Sequence, residues 1–349
     1  MKNNIGVWFP AIRAETGADV FTIRLAKALQ ARGIHTQITW IPHHAEYLPW
    51  TVPVPEPPAW ATVVHINSWL HKRFIPHHLP LIVTVHSCVH DSSLNPYKNF
   101  TLKLYHRIWI RRCETEAINR AEVVTAVSQY TKMQVERIFG CHDVIPIHNW
   151  IDTNVFAPRL VMCCHSPYRL LFVGSMRKMK GVDLLEKIMR NLGPDFELRF
   201  TCDPSDLDKL QPTIPSNMIA LSRMNTKQEL VTAYRNSDAL LFPTRLEGFG
   251  LVALEAQACG IPVIATNCSS LPEVVEHGST GLLCPKDDVQ AFADAARELC
   301  NNSDKWNKMR HAARFRAQEM FNEEHILKKY IELYQNICSR FPRKGHQEN

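Results

Sequence analysis

Two glutamates, Glu247 and Glu255, enclose the seven-residue run Gly-Phe-Gly-Leu-Val-Ala-Leu. An apolar segment, Ala239 to Phe242, precedes them, and a helical pattern begins at Leu251. Gly248 and Gly250 let the backbone turn sharply and come close to a ligand. A helix start offers free N–H groups and partial positive charge, which favours an anion such as phosphate. A carboxylate aimed at that anion would repel it, so these two suit hydroxyl groups instead. Glu255 can accept hydrogen bonds from a ribose diol. Glu247 can bind sugar hydroxyls or stabilise positive charge developing at a sugar carbon. On local spacing alone, a pair of ordinary solvated glutamates accounts for the pattern equally well.

The same arrangement recurs earlier. An apolar run, Leu170 to Val173, leads into Gly174-Ser-Met-Arg177-Lys178-Met-Lys180-Gly181, and a helical pattern follows. Three cations in a glycine-bounded strand-to-helix loop suit a diphosphate, with Arg binding two oxygens at once and Lys acting as a point charge. The alternative is a solvated basic loop. Parallel strands would put this loop and the Glu247 loop on one edge, which favours the ligand reading. Neither glycine pattern is a Walker loop or a G-x-G-x-x-G fingerprint.

Short apolar runs that alternate with helical patterns must position these loops. Strands are expected at 5–9, 36–41, 63–66, 81–85, 123–127 and 143–147, then at 170–173, 197–201, 239–242 and 262–265. Helices are expected at 20–29, 97–119, 130–139, 181–191, 227–236, 251–259, 288–299 and 323–340. Pro49 to Pro58 carries five prolines in ten residues and reads as a surface loop. Such alternation implies parallel sheets covered on both faces. The pattern lapses between Ala157 and Tyr168, and 349 residues suit two domains. The expected fold is therefore α/β, with two doubly wound, Rossmann-like domains. Residues 1–157 form the first and 158–325 the second. Residues 326–349 hold a last helix, able to cross back to the first domain, and a frayed tail.

Bulk composition narrows the partners. Hydrophobic residues are 45% and charged residues 21%, a globular profile. The net charge of +6 and a pI near 8.7 suit anionic ligands, whereas nucleic-acid binders concentrate charge more strongly, so no nucleic-acid partner is expected. Eleven cysteines without a C-x-x-C pair point to a reducing compartment. Neither a signal peptide nor a membrane-spanning run is read, and the expected location is the cytoplasm.

Two further clusters stand out. His86, Cys88 and His90 follow an expected strand, but no third histidine comes at a metalloprotease spacing, and no metal site is expected. Between Tyr97 and Arg112, Lys98, Lys103, Arg107, Arg111 and Arg112 mix with Phe100, Leu102, Leu104, Tyr105, Ile108, Trp109 and Ile110, with no acid before Glu114. Two readings stand side by side: a helix that rests on an anionic membrane surface, and a domain helix whose apolar stripe is in the core.

The stretch Glu247-Gly-Phe-Gly-Leu-Val-Ala-Leu-Glu255 resembles the E-x7-E motif of glycosyltransferase family 4, retaining enzymes of GT-B fold. Agreement continues through Cys259-Gly-Ile-Pro-Val263, Pro272-Glu-Val274 and Gly278-Ser-Thr-Gly281. Weaker agreement covers Thr16-Gly17-Ala18-Asp19, Thr84-Val85-His86, 121–128 and Asn149-Trp-Ile-Asp152. The resemblance implies a donor-binding set of Gly17, Arg177, Lys180, Phe249, Gly250, Leu251 and Glu255. Within it Glu255 meets the ribose, and Lys180 with a nearby arginine holds the diphosphate. Glu247 and His86 are implied to be catalytic, Glu247 on the donor sugar and His86 beside the anomeric carbon from the other domain. It also implies retention of anomeric configuration with no metal or other cofactor, the leaving phosphate assisting the acceptor hydroxyl. Thr16-Gly17 and Ser269-Ser270 stand where the family often has paired glycines, and Ser175 stands where an arginine often follows Gly174. The expected function is sugar transfer from a UDP- or GDP-sugar to a glycan or lipid-linked acceptor, in bacterial lipopolysaccharide or other envelope polysaccharide assembly. Peripheral contact with an anionic membrane would accompany it. A sugar-nucleotide epimerase of the same fold and a non-enzymatic nucleotide-sugar-binding subunit are the alternatives.

Overall fold

The structure, a computed structural model, describes residues 5–14, 16–159, 163–206, 214–222, 224 and 226–341. The chain divides into two units, one of residues 1–149 with 323–349 and one of Trp150–Asn322. The first contains strands β1 (Gly6–Ile12), β2 (His35–Ile41), β3 (Val63–Asn67), β4 (Leu81–Val85), β5 (Val123–Ala126) and β6 (Ile145–Pro146), all parallel, in the order β2-β1-β3-β4-β5-β6. Every residue of β1, β3 and β4 is buried, which explains why they read as mostly apolar runs rather than alternating ones. Helix α1 (Gly17–Gln30) follows β1. After β4 the chain makes a 3-10 turn at Ser92–Tyr97, then α2 (Phe100–Tyr105), a π-helical turn at His106–Ile110, and α3 (Arg111–Arg120). The expected helix at 97–119 is thus three pieces. Helix α4 (Gln129–Phe139) is capped by Ser128, whose hydroxyl accepts the Thr131 N–H, and ends on Gly140.

The second unit holds β7 (Tyr168–Phe172), α5 (Val182–Leu192), β8 (Phe196–Thr201), β9 (Met218–Leu221), α6 (Lys227–Arg235), β10 (Ala239–Phe242), α7 (Leu251–Ala258), β11 (Val263–Thr266), α8 (Leu271–Val274), β12 (Gly281–Cys284), α9 (Val289–Asn301) and α10 (Ser303–Met320). Its parallel sheet runs β12-β11-β10-β7-β8-β9. Counted within the unit, that is the 3-2-1-4-5-6 order of the Rossmann fold read from its other edge, whose crevice opens where β7 and β10 lie side by side. The core gathers Leu170, Phe172, Leu185, Ile188, Leu198, Phe200 and Phe292. Helix α5 buries Leu184, Leu185, Ile188, Met189 and Leu192, one face of a 3.6-residue period. Asp238, buried at the entry to β10, accepts the Arg169 N–H at 2.7 Å and faces His165 Nδ1 at 2.8 Å, tying the start of β7 to β10.

The last helix, α11 (Glu323–Arg340), belongs to the first unit and packs on α1 and β3. A buried polar chain anchors it. His65 on β3 lies 2.7 Å from the Tyr334 hydroxyl and 2.6 Å from Thr84 Oγ1, and Thr84 lies 2.6 Å from Thr125 Oγ1. Residues 150–157, which the sequence pattern groups with the first domain, pack within the second unit. The Ile151 N–H donates to the Phe321 carbonyl, and Arg314 donates to the carbonyls of Thr153 and Phe156. No helix among the described residues is long and apolar enough to cross a membrane.

Candidate active site

The loops that follow β7 and β10 meet at the switch point of the second sheet, and direct bonds lace them together. Gly181 has φ +74°, and a Cβ there would lie 2.1 Å from the Pro243 carbonyl oxygen, so only glycine allows the loops to cross. The Arg245 N–H donates to the Met179 carbonyl at 2.9 Å. Lys180 Nζ donates to Glu247 Oε1 at 2.5 Å, and Thr244 Oγ1 donates to the same oxygen at 2.9 Å. The sequence assigns Lys180 and Glu247 to different parts of one ligand. Here they are a half-buried ion pair.

Arg245 holds this junction. It is buried, and its guanidinium donates to both Asp183 carboxylate oxygens at 2.6 and 2.9 Å, to Asp287 Oδ1 at 2.6 Å and to the Lys178 carbonyl. Asp183 opens α5 and Asp287 follows β12, so one side chain fastens the loops after β7, β10 and β12. The Asp183 carboxyl is held below its ordinary range chiefly by the hydrogen bonds from Arg245, and those bonds raise the guanidinium pKa in turn. Sequence reasoning passes over Arg245. Its one available signal is a positive charge inside a loop otherwise made mostly of small, apolar and glycine residues.

The Ser269-Ser270 pair has a defined job. Ser269 sits in the left-handed region at φ +48°, where glycine is the easier occupant, and its Oγ accepts the Glu247 N–H at 2.9 Å. Ser270, fully buried, donates from Oγ to the Glu247 carbonyl at 3.1 Å. Two adjacent serines therefore grip the backbone of Glu247 from its N–H and its C=O.

Helix α7 is preceded by Gly250 at its N-cap, whose φ of +96° suits glycine and whose added Cβ would meet Leu271 Cδ2 at 2.9 Å. The Phe249 ring is buried, edge-on to Phe321 at 5.7 Å, so what Phe249 and Gly250 can offer a ligand is backbone. Leu251, half-buried, is the first helical residue. Glu255 is buried on α7, and the Tyr234 hydroxyl lies 3.1 Å from its Oε2 and 3.2 Å from the Val252 carbonyl. Arg177 is exposed, just before the 3-10 turn at Lys178–Lys180. The second unit thus collects Arg177, Lys180, Glu247, Phe249, Gly250, Leu251 and Glu255 on the elements flanking its switch point.

Gly17 and His86 belong to the first unit. Gly17 opens α1 in exposed surroundings, with open space where a Cβ would project. His86 ends β4. Its Nε2 lies 2.9 Å from Asn67 Oδ1, and its ring meets Phe21 edge-on at 4.7 Å. Burial pushes its pKa down to about 3, so it is a neutral imidazole that donates from Nε2 to Asn67. The neighbouring cluster disperses: His90 pairs with buried Glu114 at 2.9 Å, and burial pushes the Cys88 thiol up to about 12.

Comparison with known proteins agrees with this architecture. Residues 165–316 match the family "Glycosyl transferases group 1", and residues 58–155 match "Glycosyltransferase Family 4". The chain is 28% identical over 298 residues to N-acetyl-alpha-D-glucosaminyl L-malate synthase of Bacillus anthracis, covering 78% of this chain and 72% of that protein. Among solved structures, a sucrose-phosphate synthase from Thermosynechococcus elongatus superposes with a TM-score of 0.79 at 18% identity, covering 96% of this chain and all of that one. Anabaena HepE in complex with UDP-glucose superposes at 0.72 with 17% identity, covering 95% of this chain and all of that one. Two parallel six-stranded sheets in the GT-B manner, together with both family matches, make this chain a glycosyltransferase of the group 1 and family 4 kind.

Proposed function

We propose that this chain transfers a sugar from a nucleotide-sugar donor, with retention of anomeric configuration, to a glycan or lipid-linked acceptor of a bacterial envelope polysaccharide. The observation that carries the reading is the switch-point junction, where Lys180 and Glu247 pair beside the start of α7 and Glu255 lies just over one helical turn along. A UDP-glucose complex of a protein with this fold supports the donor class.

In this reading Glu255 accepts the ribose hydroxyls, its carboxylate oriented by Tyr234. Lys180 and Arg177 receive the diphosphate, together with backbone N–H groups at the start of α7. Charge grows on the diphosphate as the glycosidic C–O bond breaks, and fixed cations lower the barrier most when that charge is largest. Glu247 faces the sugar, where a carboxylate offsets positive charge at the anomeric carbon. His86 serves as a neutral hydrogen-bonding group, since its low pKa denies it a standing charge. The leaving phosphate takes the acceptor proton on the same face, and no metal is required.

Thermal stabilisation against a panel of UDP-, GDP-, ADP- and TDP-sugars identifies the donor, because a ligand bound only by the folded state raises the melting temperature. Transfer with that donor, in the presence of a chelator, should give a product of unchanged anomeric configuration by NMR. An inverted product or a strict metal requirement overturns the mechanism. Epimerised donor without acceptor would favour the epimerase reading, and binding without turnover on a broad acceptor panel the non-enzymatic one.

A further inference from the structure

The exposure of the segment from Phe100 to Arg112 bears on the two readings that its sequence leaves open. Helix α2 buries none of its six residues, and the following π-helical turn buries only Ile110. The apolar side chains of α2 therefore do not enter the core. Phe100 is 77% exposed and Ile108 62%, with Leu102 and Leu104 also exposed. Lys103, Arg107 and Arg111 recur beside them at four-residue spacing and are exposed as well. Lys98 departs from the group, turning inward to the Val89 carbonyl.

A second stretch joins this face. The loop after β2 exposes Tyr47, Leu48, Trp50 and Val54. Tyr47 lies against Tyr105 with ring centroids 5.3 Å apart, and Trp50 against Trp109 at 5.7 Å. The Trp109 indole N–H donates to the Glu46 carbonyl at 2.7 Å, and the Tyr105 hydroxyl donates to Glu46 Oε1 at 2.7 Å. The loop and the helix are thus pinned into one surface of the first unit. Its neighbouring acids are occupied: Glu46 by Tyr105, and Glu116 by Lys72 and Arg112. Glu56 comes later, in the proline-rich loop.

Exposed Phe, Leu and Ile with Lys and Arg alongside, bordered by Tyr and Trp, match the three layers of a bilayer interface: acyl boundary, anionic headgroups, and the amphipathic belt between. We propose that this face, built by 47–54 and 100–112 together, docks on an anionic lipid bilayer. Phe100 and Ile108 enter the acyl boundary, and Lys103 and Arg107 meet lipid phosphates. Its service to catalysis, bringing the site to a lipid-linked acceptor, rests on the transferase reading; the docking itself does not.

Cosedimentation of the full chain with vesicles tests it without any need for turnover. With phosphatidylglycerol–phosphatidylcholine vesicles at low salt the protein should pellet, and with pure phosphatidylcholine it should remain largely in solution. Raising the salt to about 0.5 M should release much of it, since the Debye length falls to a few ångströms. Phe100→Ser with Ile108→Ser should weaken binding about tenfold or more, because two inserted apolar side chains are lost. Lys103→Glu with Arg107→Glu should do the same. All four side chains are exposed, so both variants should melt as the parent does. Absence of binding to the anionic vesicles overturns the proposal, and so does binding that both variants retain. A lipid-free dimer that Phe100→Ser with Ile108→Ser dissolves, without any vesicle binding, would assign the face to a second copy of the chain instead.

Discussion

Ser269 accepts the backbone N–H of Glu247 at 2.9 Å from a left-handed conformation, φ +48°, that a glycine would adopt at lower cost. The chain bears that strain and gains a fixed amide. Two substitutions separate the effects. Ser269→Gly removes both the strain and the bond, while Ser269→Ala removes the bond and keeps the strain. The glycine variant should melt higher than the alanine variant, by about 1 kcal/mol of stability. Both should lose turnover several-fold with donor KM little changed, because the Glu247 N–H is no longer held and only the Ser270 bond to its carbonyl remains. Full turnover in Ser269→Gly would show that this bond does not position Glu247.

The Lys180–Glu247 pair predicts opposite consequences for binding and chemistry. Lys180→Ala removes a diphosphate cation and should weaken donor binding by about tenfold or more. Glu247→Gln keeps the shape and removes a negative charge near the phosphates. It should bind donor as tightly as the parent, or more tightly, while turnover falls about a hundredfold. Calorimetric titration of donor beside single-turnover rates reads both. Equal losses of affinity in the two variants would show that the pair acts only as a structural ion pair.

Arg245→Lys should loosen the junction without unfolding the chain. Lysine cannot span Asp183, Asp287 and the Lys178 carbonyl together, so the bidentate geometry goes. Asp183 and Asp287 are 41% and 46% exposed in their side chains, so water takes up part of the loss. The expected cost is therefore about 1–3 kcal/mol rather than that of a fully buried pair. Donor affinity should fall further than stability alone explains, since the 3-10 turn carrying Lys180 loses its anchor. Denaturant melts with donor titration distinguish the two effects.

Much of the architecture is legible because parallel strands covered on both faces leave mostly apolar runs, as at β4 and β10. Strand order is not, since it depends on pairings between distant segments; the switch point between β7 and β10 comes only with the sheet. β9 carries little signal, being a four-residue edge strand that is only half-buried. α10 is hidden because its buried stripe of Trp306, Met309, Ala313 and Ala317 runs through an otherwise charged and polar helix. The carboxylates and the basic loop are visible as types and spacing. What aligns them is not: Arg245 acts through partners far off in sequence, and the left-handed backbone of Ser269 has no signature in a pair of serines. His65 gives no signal either, being one histidine in a run of strand residues.

His65 and His86 supply the pH dependence. Both are held neutral in the fold, with pKa values pushed down to about 3, chiefly by burial, whereas an unfolded histidine titrates near 6.5. Between those values the unfolded chain binds protons that the folded chain refuses. Their contribution is therefore fully present above about pH 6.5 and is lost as the pH falls toward 3. Each histidine can steepen the loss by up to about 1.4 kcal/mol per pH unit within that window. Protonating His65 would also place a charge between Tyr334 and Thr84, against the polar chain that anchors α11. His65→Gln should lower stability at neutral pH, yet flatten the decline between about pH 6.5 and about pH 4.5 by roughly the share of one histidine. Denaturant midpoints measured across that range for parent and variant give the two slopes. Parallel slopes would mean that His65 titrates alike in both states and that the anchor of α11 is indifferent to its charge.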